Sequence, residues 1–148
     1  MSEIKVDTLT GKTSAGDITV TSEGGAATQS LQQGLAKVWI FFNGFGTVSV
    51  NDSLNISGIT DNATGSYTPA FSNSFSSVNY VPVCSPVNEL ATSRGGAGLG
   101  VAINGDNTFM SMTTSETRLN HNYGSNAGSN GGSQDAYGNF ATFMGDLT

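Results

Sequence analysis

Residues 38–83 read VWIFFNGFGTVSVNDSLNISGITDNATGSYTPAFSNSFSSVNYVPV. Short apolar runs alternate here with Gly, Asn and Asp clusters, and none stays apolar long enough for a helix. Runs of four to eight residues rich in Val, Ile, Phe and Tyr and bounded by turn formers read as strands. Five strands are predicted, at 38–42, 47–50, 54–59, 66–71 and 78–83. Their spacing is that of a small sandwich or barrel. Asn43-Gly44 and the DNATG run at 61–65 are the clearest turns, because Asn and Gly tolerate the positive φ of a hairpin. Pro82 and Pro86 lack an amide donor and mark an edge strand or a strand end.

To either side the pattern thins. Ile4 and Val6 alternate with Glu3, Lys5 and Asp7, and Ile18 and Val20 alternate after a Gly break. These are two short strands that bury nothing alone. TQSLQQGLAK (28–37) is the only helix candidate, with Leu31 and Leu35 four apart and Lys37 at its C-terminal end. Ten residues containing Gly34 are too few for a helix stable alone in water. Its Leu31/Leu35 stripe therefore packs on the β domain or on symmetry mates. Downstream, 99–103 and 109–114 flank NGDNT and read as a hairpin, 118–139 is a low-complexity loop, and FATFM (140–144) is a final strand.

The composition narrows the functional classes. The 148 residues suit one domain with a modest appendage. Only 11% are charged, and Gly, Ser, Thr and Asn together make up nearly half of the chain. With five basic residues against eleven acidic ones, the surface repels polyphosphate, so nucleic acid is not an expected partner. Cys84 is alone and is read as a buried or half-buried structural thiol. The start, MSEIKVDTLTG, has no basic and apolar regions of a secretory signal, so synthesis in a cytoplasm is expected. No window has the length of a membrane span.

No chemistry-bearing constellation emerges. His121, the only histidine, has no acid or nucleophile fixed beside it and reads as a solvated loop residue. Asp52, Asp61, Asp106, Asp135 and Asp146 lie at turns, which Asp caps with its own side chain. NGDN (104–107) is too short for a calcium loop, GGAGLG (95–100) precedes a strand and has no Gly-Lys-Ser/Thr after it, and no spacing pairs two carboxylates for glycoside hydrolysis. No metal or cofactor is expected. Tyr67, Phe71, Phe75 and Tyr80 are assigned to the core. Tyr123 and Tyr137 sit in a Gly/Asn/Ser context like that of recognition loops, where Tyr supplies contact area and its small neighbours supply adaptable hydrogen bonds.

Several motifs resemble a module of bacteriophage tail-fibre and related virion proteins, marine phages above all. They are LQQGLAKVW at 31–39, NGFGTV at 43–48, SLNISGITDN at 53–62, GSYT at 65–68 and Asn79-Tyr80; SEIKVDTLTGKTSAGDITV and the closing FMGD resemble the ends of the same proteins. The motifs are structural and carry no catalysis. The resemblance implies a homotrimeric virion fibre or spike, with the N-terminal part attached to other tail or capsid proteins and the β domain facing a host cell-surface glycan or protein. The expected architecture is thus all-β: an extended attachment segment (1–27), a short helix (28–37) and a jelly-roll-like antiparallel β-sandwich (38–148). Ile4, Val6, Leu31, Leu35 and Trp39 are the candidate oligomerisation residues. Specificity is expected in the loops at 88–98 and 120–139, where Arg94, His121, Tyr123 and Tyr137 are the candidate receptor contacts. The competing expectations are a capsid-decoration or tail-assembly subunit and a glycan-degrading tailspike enzyme.

Overall fold

A computed structural model describes residues 3–14, 18–86, 94–101, 111–125 and 132–148. The chain divides into two compact units, Met1–Leu35 and Ala36–Thr148. In the first, β1 (Thr19–Thr21) pairs antiparallel with β2 (Thr28–Ser30), Val20 lying opposite Gln29. Ile4 and Val6 belong to no regular element, and Val20 and Leu35 are exposed.

The helix expected at 28–37 does not form. Thr28–Ser30 is a strand, and the residues after it make a single turn: Gly34 N–H donates to Ser30 O at 3.1 Å and Leu35 N–H to Gln32 O at 3.4 Å. Ser30 Oγ accepts from Gln33 N–H at 3.4 Å, as a cap does. The turn stops at Gly34, where continuing a helix is least favourable, and β-branched Thr28 is already committed to the hairpin. The i, i+4 spacing of Leu31 and Leu35 is real but only one turn long.

The second unit is all-β and antiparallel. One sheet has the order β4-β3-β11-β7, formed by β3 (Val38–Asn43), β4 (Ser49–Leu54), β7 (Val81–Pro86) and β11 (Asn139–Met144). The other is built from β5 (Ile56–Ala63), β6 (Ser66–Phe71), β8 (Arg94–Val101), β9 (Leu119–Ser125) and β10 (Gly132–Ser133). In it β9 pairs with β8 along one edge and with β6 and then β10 along the other, and β5 lies outside β6. The β3–β4, β5–β6 and β8–β9 neighbours stay within one sheet. The β3–β11, β7–β11 and β6–β9 neighbours are far apart in the chain, so hairpins alternate with crossings between the sheets at β4–β5, β6–β7, β7–β8 and β10–β11.

Alternation decides which side chains meet. Val38, Ile40 and Phe42 of β3 point inward with Ala141 and Phe143 of β11, against Tyr67 and Phe71 of β6, Leu99 of β8 and Leu119 of β9; all are buried in one hydrophobic cluster. Phe71, Phe75, Tyr80 and Phe143 form its aromatic centre, with Phe75 and Tyr80 stacked at 4.3 Å. Each such ring contributes about 1.5–3 kcal/mol by leaving water. The chain crosses between sheets at Asn55, whose φ of 59° bends it between β4 and β5. Its Oδ1 accepts from Asn73 N–H at 2.7 Å and so fixes the bend.

Several boundaries differ from those expected. The second, third and fifth strands run later in the chain than predicted, and β8 starts at Arg94 within the stretch read as a loop. Its partner is β9, not the segment 109–114, because the low-complexity run from Leu119 is itself a strand. Its Asn, Gly and Ser residues hid an alternation carried by Leu119, His121 and Tyr123. Residues 102–110 of the expected hairpin lie outside the described residues, as do 88–93 and 126–131 of the two loops assigned to specificity.

Candidate functional site

Three segments meet at one end of the β unit: the β3–β4 turn around Gly44 and Phe45, the β5–β6 turn at Thr64-Gly65, and residues 134–138 before β11. Asp135 joins them. Its Oδ1 accepts from Gly65 N–H at 2.7 Å and from the Tyr67 hydroxyl at 2.8 Å, and that hydroxyl also lies 3.1 Å from Gly44 O. Gly44 N–H donates to Ala136 O at 2.8 Å, and Asn139 Nδ2 donates to the same carbonyl at 3.0 Å. Tyr67 and Asn139 are fully buried. Burial first, and then the Asp135 carboxylate, push the Tyr67 phenol well above its ordinary value. At neutral pH it is therefore a fixed donor to a carboxylate, a charge-assisted bond stronger than one between neutral groups.

Close approach explains the two glycines. A Cβ at Gly44 would fall 2.6 Å from Tyr67 Cζ, and one at Gly65 would fall 2.6 Å from His121 O and 2.7 Å from Gln134 O. Gly65 also has φ +69°, which an L side chain rarely adopts.

This latch presents two aromatic rings to solvent. Phe45 is 49% and Tyr137 56% exposed, yet their rings stack with centroids 4.4 Å apart and planes 27° from parallel. Phe45 is held by Asn43, whose Oδ1 accepts Phe45 N–H at 3.0 Å and whose Nδ2 donates to Phe45 O at 3.3 Å. Tyr137 follows Ala136, which is buried and bonded to Gly44. The two rings thus stand on loops tied to each other and to the core. Such a pair offers a flat apolar face at little entropic cost on binding, since its two rings are already placed.

The expected contacts scatter. Of the four candidate receptor residues only Tyr137 lies in this platform. His121, read from sequence as solvated, is fully buried. It shares the inward side of β9 with Leu119, and its Nδ1 lies 2.9 Å from Gln134 O, which requires that nitrogen to carry the proton. Its Nε2 is buried with no hydrogen-bond partner among the described residues. His121 is therefore a core residue and not a surface contact. Tyr123 is half-buried on β9, beside Gly132 of β10. Arg94 opens β8 opposite Ser125, and its side chain lies outside the described residues.

Among the oligomerisation candidates, Ile4, Val6 and Leu35 are exposed and Leu31 is half-buried. Leu31 and Leu35 line an open groove of about 240 Å³ with Val20, Gln29, Ser30 and Gly34. Trp39 is half-buried and points away from the core, since Val38 and Ile40 on either side of it point in.

Sequence reasoning missed Phe45 as a surface residue and took Tyr67 and Asp135 for a plain core ring and a plain turn cap. The signal for Phe45 was present. A large ring between Gly44 and Gly46 at a hairpin tip has no strand to turn it inward. The Tyr67–Asp135 pair, 68 residues apart in sequence, had none.

Cys84 is half-buried, and burial pushes its thiol up to about 11. No three His, Cys, Asp or Glu side chains gather to hold a metal among the described residues, and no helix there is long and apolar enough to cross a membrane. The chain has no significant match among protein-family models, curated proteins or solved structures.

Proposed function

We propose that this chain is a virion structural protein, a phage tail-fibre or spike subunit that acts as a homotrimer and contacts the host cell surface through a non-catalytic site. The observation that carries the reading is the Phe45–Tyr137 pair, exposed yet locked by Asp135, Tyr67 and Gly44. Exposed aromatics on a rigid scaffold suit recognition, and a surface poor in charge and rich in Ser, Thr and Asn suits an extracellular glycan or protein partner. The motifs at 31–80 supply the virion setting. Three weak sites on one trimer would give the avidity that adsorption to a repetitive surface needs.

Competition for adsorption tests this. Purified protein added to host cells before the phage is expected to slow adsorption. Phe45→Ala with Tyr137→Ala should weaken that inhibition at least tenfold while stability changes by less than about 1 kcal/mol, as expected of exposed side chains. Inhibition that is equal for the double variant and the wild type would overturn the site, and absence of inhibition would overturn the role.

A second reading is favoured by one observation, the apolar outer side of the β4-β3-β11-β7 sheet, where Leu54, Val81, Val83 and Phe140 are exposed. A capsid-decoration or tail-assembly subunit would seat that side on the particle. Antibody labelling of intact particles separates the two, since a decoration protein would label the capsid and a fibre the tail tip.

A further inference from the structure

Asn43-Gly44 is a reactive pair held where it is kept from reacting. In a flexible chain the backbone nitrogen after an asparagine attacks that residue's own side-chain amide. Glycine in the following position makes this easiest, since it has no Cβ to obstruct the attack and its backbone turns freely. The Gly44 nitrogen would bond to Asn43 Cγ while the Cγ–Nδ2 bond breaks. The Gly44 amide proton leaves with Nδ2 as ammonia, and a five-membered succinimide remains. Water then adds to one of the two ring carbonyls and opens the ring to aspartate, or to isoaspartate, whose main chain runs through Cγ. Nothing is oxidised or reduced, and water is the only co-reactant.

The structure opposes each requirement of the first step. The nucleophile is occupied: Gly44 N–H donates to Ala136 O at 2.8 Å, and Gly44 is buried. The electrophile is tethered: Asn43 Oδ1 accepts from Phe45 N–H at 3.0 Å, and Nδ2 donates to Phe45 O at 3.3 Å. The backbone between them is fixed as well. Asn43 ends β3 opposite Ser49, and a Cβ on Gly44 would fall 2.6 Å from Tyr67 Cζ. Ring closure needs the Gly44 nitrogen to swing toward Asn43 Cγ, which its bond to Ala136 O and its contact with Tyr67 both resist. Asp135 in turn fixes the Tyr67 hydroxyl at 2.8 Å.

We propose that Asn43 is a self-modification site that the Asp135 latch holds shut, so that opening the latch exposes the Phe45–Tyr137 platform to permanent loss. Both products remove the Nδ2 donor to Phe45 O and set a carboxylate beside that carbonyl. Isoaspartate also lengthens the main chain by one carbon before Phe45, which carries its ring away from Tyr137. The platform therefore has a lifetime set by how often the latch opens, whatever it binds.

Incubation of the full chain at pH 8, folded and in guanidinium chloride, tests this, with Asn43 followed by mass spectrometry of proteolytic fragments. Fragments are needed because the same dipeptide recurs at Asn104-Gly105 and Asn130-Gly131, outside the described residues. Asn43 is expected to convert at least about tenfold more slowly in the folded chain than in the unfolded one, as for a reaction through a rare open state. Tyr67→Phe keeps the core ring without the donor to Asp135. It should convert several-fold faster than the folded wild type, with circular dichroism showing that it is folded. Equal rates in folded and unfolded wild type overturn the proposal. A Tyr67→Phe rate equal to that of the folded wild type overturns the latch as the guard. Should Tyr67→Phe not fold, hydrogen exchange at the Gly44 amide of the wild type reads the same opening. Its protection should match that of Asn43, and conversion that outpaces the exchange overturns the mechanism. The converted chain, separated by its added negative charge, should lose the mutual ring-current shifts of Phe45 and Tyr137 in proton NMR. Shifts unchanged from the wild type overturn the effect on the platform.

Discussion

Asp135 turns three loose segments into one rigid end, and the Tyr67 hydroxyl is its most consequential partner. Removing that hydroxyl leaves the Asp135 carboxylate without one of its two donors in a part-buried place. Tyr67→Phe is therefore expected to cost about 1–3 kcal/mol and to lower Tm by several degrees in calorimetry. A variant as stable as the wild type would show that the latch contributes nothing. The same residue sets an alkaline limit. The folded phenol is raised above its ordinary 10.0, so the unfolded chain loses this proton first. The stability it supplies is full below about pH 10 and falls as pH rises beyond that value. Tyr80, raised chiefly by burial, and Cys84, at about 11, act in the same direction. Urea titrations from pH 8 to 11 should thus show a shallower decline for Tyr67→Phe than for the wild type, not a flat line.

The turns and strands show where local chemistry and packing agree. The hairpin between β5 and β6 closes on Gly65, and the carbonyls of His121 and Gln134 crowd the place of its missing side chain. Gly65→Ala is expected to cost at least about 2 kcal/mol, from positive φ and from the clash. Gly46 has a similar φ of +71° but open space around it, so Gly46→Ala isolates the backbone part and should cost less. Equal losses for the two variants in thermal melts would mean that the clash relaxes freely. The segment 28–37 teaches the opposite lesson about spacing. Two leucines four apart suggested a helix, and strand pairing of Thr28–Ser30 with Thr19–Thr21 took precedence. A weak helical preference over ten residues with a glycine yields to any competing ladder.

Every member of the hydrophobic cluster lies between Val38 and Leu147, so the Ala36–Thr148 unit carries its own core. Deleting residues 1–35 should move its melting temperature by no more than a few degrees. A fall of more than about 10 °C, which for a domain of this size corresponds to over 1–2 kcal/mol, would mean that the first unit contributes to the core. The two sides of the β unit are as distinct as its two ends: one sheet is dressed in Thr and Asn, the other in Trp, Phe, Val and Leu. The aromatic platform of Phe45 and Tyr137 sits at one end of this unit.

Period-two alternation and turn formers were enough to determine an all-β main unit, the strand at 66–71, the start of the strand at 38 and the end of that at 144, and a core built on Tyr67, Phe71, Phe75 and Tyr80. These signals are local, and neighbouring residues carry them. Tertiary structure alone decided that a run of Asn, Gly and Ser is strand β9, that His121 is buried and that Phe45 meets Tyr137. It also decided that one sheet keeps an apolar outer side. Each of these depends on which strand lies beside which, and pairing partners far apart in the chain leave no mark on the residues between them. Burial follows from that pairing, so the outer side of a strand such as VWIFF reads like its inner side until its neighbours are known.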